Sequence, residues 1–146
     1  MIKSVNDTNV WLSGINWDTG AGYLIRRHWE AGHFRHFISG EILYEIIRVL
    51  REVFEYPDEK LYDWYWLLLK GSVYVVPVTI VNAVQADPDD NKFLACAIDG
   101  NAEFVVSEDK HLRCLETYDS TQIVRKQAFL AMLETSVSRA SATSQP

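Results

Sequence analysis

Ala86-Asp-Pro-Asp-Asp-Asn-Lys-Phe-Leu-Ala-Cys-Ala-Ile-Asp-Gly-Asn-Ala-Glu-Phe-Val-Val-Ser-Glu-Asp-Lys-His-Leu112 reads as a helix, a turn and a buried strand that ends in a carboxylate. Asp87 suits an N-cap, Pro88 the first helical position, and Asp89 and Asp90 the positive end of the helix dipole. Gly100 is expected to stop the helix. Asp90 shares a helix face with Leu94 and Ala97, so it stands at the top of the face that packs on a sheet. Phe104-Val105-Val106 is a short apolar run of the kind found in buried parallel strands. Ser107, Glu108 and Asp109 lie just past its C-terminal end, the edge at which open α/β sheets bind ligands.

Upstream of this stretch, Val73 to Val84 is rich in β-formers but interrupted by Pro77, which restricts it to an edge or connecting strand. Asp58 to Lys70 predicts a helix apolar almost all round: Leu61, Trp64, Tyr65 and Leu68 on one face, with Tyr62, Trp66 and Leu69 filling much of the rest. Such a surface has to be covered by the domain, a second copy or a partner. Gly40 to Phe54, capped by Ser39, carries an apolar stripe of Ile42, Ile46, Val49, Leu50 and Val53, and Glu45 borders it. Phe34 to Ile38 predicts a strand, Ala21 to Trp29 a helix capped by Asp18 or Thr19, Ser13 to Gly22 a loop, and Ile2 to Val5 the first strand. Downstream, His111 to Leu115 adds a helical turn, Gln122-Ile123-Val124 a last strand and Gln127 to Leu133 a last helix. Strands alternating with helices imply a parallel sheet covered on both faces. The domain is expected over residues 1–134, followed by a disordered tail over 135–146, because Thr135 to Pro146 is rich in Ser, Thr and Ala with no periodicity.

The chain has 146 residues, 48% hydrophobic and 23% charged, which is the composition of one ordinary globular domain. Neither a membrane span nor a signal peptide is legible, so the expected compartment is the cytoplasm. Cys96 and Cys114 lack any zinc-like spacing and read as plain thiols. A net charge of −6 argues against a broad basic face for nucleic acid, but not against an enzyme that meets phosphates through metal ions.

Four acids occupy comparable places: Asp7 after the first strand, Glu45 on the helix after the second, Asp90 at a helix start, and Asp109 after the next strand. In a parallel sheet these places converge on the C-terminal edge. Crowded carboxylates repel unless protonated or neutralised. Hard oxygen ligands suit Mg²⁺ or Mn²⁺, which can activate water and stabilise charge on both oxygens of a phosphodiester displacement. Each acid also has a plainer use: Asp7 and Asp109 as caps, Asp90 in a capping box with Asp87, Glu45 as a solvated edge residue.

Asp7-Thr8-Asn9-Val10, Ser39-Gly40-Glu41-Ile42-Leu43-Tyr44-Glu45-Ile46, Asp87-Pro88-Asp89-Asp90-Asn91-Lys92-Phe93-Leu94 and Val106-Ser107-Glu108-Asp109-Lys110, in that order, resemble a PIN domain over roughly Ile2 to Leu133. The resemblance is to the VapC-like toxin components of bacterial and archaeal toxin-antitoxin systems. It implies a three-layer α/β/α sandwich with a central parallel sheet, and a Mg²⁺- or Mn²⁺-dependent ribonuclease site. Asp7, Glu45, Asp90 and Asp109 match the family's acidic metal-binding and catalytic positions, with Asn9 and Ser107 as supporting polar residues. The same resemblance implies an RNA substrate, a cognate antitoxin seated in a hydrophobic groove, and a homodimer; Trp64, Tyr65 and Trp66 suit such contacts. Glu108 and His111 depart from the family pattern, and Ser13 to Gly22 does not align.

Other readings are weaker. Pro88-Asp89 with Glu108-Asp109-Lys110 spells the restriction-nuclease pattern, but Asp89 begins a helix rather than lying on a strand. A phosphoacceptor receiver domain needs paired acids after the first strand, where Asp7 stands alone. A PIN fold that binds RNA or protein without cleaving is the alternative from another class. His33 and His36, at i and i+3 on a strand, point to opposite faces and read as surface or packing residues.

Overall fold

The computed structural model describes residues 1–144. Its first strand, β1 (Lys3–Asn6), lies at the middle of the sheet, and its alternate partners arrive from both sides as the chain crosses over. The elements that follow are α1 (Thr8–Asn16), α2 (Ala21–Glu30), β2 (Arg35–Ser39), α3 (Gly40–Glu52), α4 (Asp58–Lys70), β3 (Ser72–Val75), a 3-10 turn (Pro88–Asp90), α5 (Asn91–Gly100), β4 (Phe104–Val106), α6 (Lys110–Arg113), β5 (Thr117–Tyr118), β6 (Thr121–Val124) and α7 (Lys126–Ser144). The strand order is β3-β2-β1-β4-β6-β5. Every pairing is parallel except β5 with β6. Helix α5 packs across β1, β2 and β4, while α2 packs against α1 and α7. The result is the three-layer α/β/α sandwich expected from the alternation of elements.

Sequence logic holds best where burial is one-sided. Ser39 caps α3 by accepting from the Ile42 amide, and Ile42, Ile46 and Leu50 are fully buried beneath it. Val53, expected in the same stripe, lies just past the helix and is exposed. Strand β3 is the sheet edge, as Pro77 demanded, and the segment after it is tied to α5: the Asp99 carboxylate accepts from the Val78 and Thr79 amides at 2.6 and 2.9 Å.

Several expectations are corrected. The loop predicted over Ser13 to Gly22 is in fact the end of α1, a short link and the start of α2. Gly14 is there for packing: a Cβ on it would stand 2.6 Å from the Gly22 carbonyl oxygen, so the two helices meet backbone to backbone. Neither Asp18 nor Thr19 caps α2; the N-cap is Gly20, whose φ of 92° suits only glycine well. Asp87 makes no side-chain cap, because a 3-10 turn intervenes before α5. Gly100 remains helical, and Asn101 takes the left-handed position with φ 55°. The antiparallel β5, two residues long, follows Glu116 and precedes Asp119, which have φ of 60° and 56°.

The tail expected to be disordered from Thr135 is helical in the structure as far as Ser144, while 145–146 lie outside the described residues. Small residues do not break a helix, and Phe129, Leu130 and Leu133 bury its first half. Beyond them Ser136 and Arg139 border a groove shared with Ile2 and Phe104, so the helix still runs along the sheet. No helix among the described residues is long and apolar enough to cross a membrane.

Candidate metal centre

Asp7 is fixed first. It stands at the end of β1, where its amide continues the ladder to the Val106 carbonyl at 3.0 Å, and it caps α1 through Oδ1, which accepts from the Val10 amide at 3.0 Å. Its Oδ2 accepts a short hydrogen bond from the Ser107 hydroxyl. The same Ser107 oxygen accepts from the Asp109 amide at 3.0 Å, and Asp109 Oδ1 caps α6 by accepting from the His111 amide at 2.8 Å. Ser107 therefore joins the two carboxylates that end β1 and β4. Asn9 is exposed and lines a cleft of about 210 Å³ with Asp7, Val10, Glu108, Asp109 and Lys126.

Asp90 approaches from the start of α5. Its Oδ2 is buried and has no hydrogen-bond partner. Burial raises the Asp90 pKa to about 7, with Asp87, Asp109 and Asp7 adding repulsion and Lys92 opposing it. Burial likewise lifts Asp7 to about 6; Asp109 adds to the rise, while the Ser107 and Val10 hydrogen bonds hold it back. Three of the four expected acids thus feel one another's charge.

Glu45 is engaged differently. Its Oε1 accepts from the Thr8 hydroxyl and its Oε2 lies 2.7 Å from the Lys92 ammonium. Lys92 was not singled out from the sequence. One signal was available: a lysine in the first turn of a helix opposes the helix dipole, and tolerating it calls for an acidic partner. Glu108, the extra acid beside the site, is turned to α7, where it meets Arg125 at 3.3 Å and accepts from the Lys126 amide at 3.2 Å.

The aromatic residues of α4 belong to other surfaces. Trp64 lies under the Arg26 guanidinium, 4.9 Å from its ring centre. Trp66 lines a groove with Trp29, Tyr62 and Lys70, and Tyr65 borders a second cavity with Leu43, Tyr44 and Tyr74. His36 is wholly buried: Nε2 accepts from the Asn6 amide at 3.0 Å and the Trp11 indole at 3.2 Å, and Nδ1 meets the Ser72 hydroxyl at 2.9 Å. His33 instead pairs with His28.

Among the described residues, no three His, Cys, Asp or Glu side chains stand in ready-made ligand geometry. The donor chemistry nevertheless suits a hard divalent cation. Asp7, Asp90 and Asp109 present carboxylate oxygens, Lys92 offsets only part of the repulsion on Asp90, and a buried Asp90 oxygen lacks any partner. A cation is the group that would relieve both.

A family model described as PIN domain matches residues 3–111, a span that contains all four acids. No curated protein matches the chain. PIN domains are generally nucleases and generally use divalent metals. With that match covering most of its length, from β1 to the start of α6, this chain belongs to the PIN domain family.

Proposed function

We propose that this protein is a Mg²⁺- or Mn²⁺-dependent endoribonuclease and the toxin of a toxin-antitoxin pair, resembling VapC. The observation that carries the catalytic part is the set Asp7, Asp90 and Asp109 at the C-terminal sheet edge, with a buried, unpartnered Asp90 oxygen among mutually repelling carboxylates. These three acids would hold the ion, which supplies a polarised phosphate and an acidified water. Ser107 keeps Asp7 and Asp109 in register, and the Val10 amide stops Asp7 from turning away. Asn9, exposed at the cleft, would meet the RNA strand, and Lys126 on the same cleft would face a phosphate. In the reaction a water would give up a proton as its oxygen bonds to phosphorus, the bond to the leaving ribose oxygen would break, and that oxygen would take up a proton.

The toxin assignment draws on the resemblance of the four acidic motifs and on the open aromatic face of α4, where Tyr62, Trp66 and Leu67 are exposed. An antitoxin segment or a second copy of the chain would cover it.

Cleavage of a mixed pool of structured and single-stranded RNAs with Mn²⁺, repeated with EDTA and with Asp7→Asn and Asp90→Asn proteins, tests the reading. Loss of cleavage in all three controls is expected. A second reading, a PIN fold that binds without cutting, is favoured by one observation: both oxygens of Glu45 are already committed. Wild-type protein that is inert on every RNA, yet melts higher with Mn²⁺, would select it.

A further inference from the structure

Lys92 is a buried cation for which the nuclease reading has no use. Its side chain is only 6% exposed, at the end of a helix where the dipole disfavours positive charge. Burying an ammonium is tolerated only when its protons and its charge are matched. Here they are: Nζ meets Glu45 Oε2 at 2.7 Å, Asp89 Oδ2 at 2.6 Å and the Asp89 carbonyl oxygen at 3.2 Å. Three acceptors satisfy the three protons of the ammonium. Glu45 in turn accepts from Thr8, the residue after Asp7, while Lys92 itself lies two residues after Asp90. This strap ties α3 to the starts of α1 and α5, beside two of the three carboxylates.

A second divalent ion in the cluster would need a further carboxylate; Asp89 is largely exposed and also bound to Lys92, which leaves the more buried Glu45 as the candidate. Lys92 already holds it with a compact positive charge. We propose that Lys92 is a built-in cation that takes the place of a second metal and limits this centre to one divalent ion. The inference rests on the metal-dependent reading above. Lys92 acts here as a positioning residue: it fixes Glu45 and, through Thr8, the start of the helix that Asp7 caps.

Calorimetric titration of Mn²⁺ into the metal-free protein tests this, with wild type, Glu45→Gln, Lys92→Arg and Lys92→Met compared and their folding checked by circular dichroism. Wild type and Lys92→Arg are expected to take up one ion per chain. Glu45→Gln keeps an amide oxygen as an acceptor and loses only the charge, so it is expected to keep the wild-type Kd within about twofold, whereas removal of a true ligand weakens metal by roughly tenfold or more. Lys92→Met frees the Glu45 carboxylate and is expected to admit a second ion. Two ions in wild type, or a tenfold weaker Kd in Glu45→Gln, overturns the inference, and neither result depends on Lys92→Met folding. A folded Lys92→Met protein with one ion and unchanged Kd overturns it as well. Failure of wild type and all variants to bind Mn²⁺ overturns the metal-dependent reading itself, a result distinct from one unchanged ion in every variant.

Discussion

Asp90 is a residue whose charge works against the fold until something neutralises it. Its pKa is raised to about 7 from an ordinary carboxylate value of 3.8, so the folded state keeps a proton that the unfolded chain has released. Stability from that proton is present at low pH and is lost as pH rises through the folded value. Asp90→Asn should therefore stabilise the metal-free protein at pH 8 by about 1 to 2 kcal/mol, a partial figure because the side chain is only half-buried. Thermal melts should show a rise of several degrees at pH 8 that shrinks toward pH 5. Mn²⁺ should raise the melting temperature of wild type and leave Asp90→Asn nearly unmoved. The acids at the sheet edge were legible because caps and strand ends have short-range signatures. Lys92 was not, because its one local mark, a lysine against the helix dipole, does not name its partner, and the match between α5 and α3 spans 47 residues.

Among the elements, the α1–α2 pair shows what glycine does when packing requires it. Gly14→Ala gains helix propensity of up to about 1 kcal/mol, but its Cβ meets the Gly22 carbonyl, a backbone atom that cannot step aside. A net loss of roughly 1 to 2 kcal/mol in urea unfolding is expected. Gly22→Ala should be milder, because the atom it meets first is the Ser13 hydroxyl, which can rotate away. Three glycines between Ser13 and Gly22 read as a loop in the sequence, since close helix contact and turn flexibility use the same residue. Helix α4 was legible end to end, and its aromatic surplus remains open in the chain, with Tyr62 65% and Trp66 38% exposed. If that face joins two copies, light scattering will give twice the chain mass, and Tyr65→Ser with Trp66→Ser will return it to one.

For the molecule as a whole, pH acts through opposed groups. Burial lowers the His36 pKa to about 3 from 6.5, so the unfolded chain takes a proton first, and stability from neutral His36 is full above pH 6.5 and lost as pH falls toward 3. Asp7 and Asp90, raised to about 6 and about 7, contribute in the other direction: their share is lost as pH rises. Each group has a slope of at most about 1.4 kcal/mol per pH unit. Below about pH 4 His36 alone sets a rising slope, and above it the two acids outweigh the one histidine, so the metal-free protein should melt highest near about pH 4; Mn²⁺ should move that maximum upward, because it removes the penalty on the two acids and leaves His36 untouched. The parallel sheet follows from the alternation of elements, whereas its strand order, with β1 between β2 and β4, did not show in the sequence. The two-residue β5 and the helical end of α7 did not show in the sequence, since both are held by neighbours instead of by their own pattern.

The hydrogen bond between Ser107 and Asp7 joins residues 100 positions apart. On the ribosome, Asp7 leaves the tunnel long before its partner has been translated. Until β4 arrives beside β1, the first carboxylate has neither Ser107 to orient it nor Asp109 beside it. A nascent chain therefore lacks the assembled carboxylate set until residues 107–109 have emerged, and whatever activity that set supports has to wait for them.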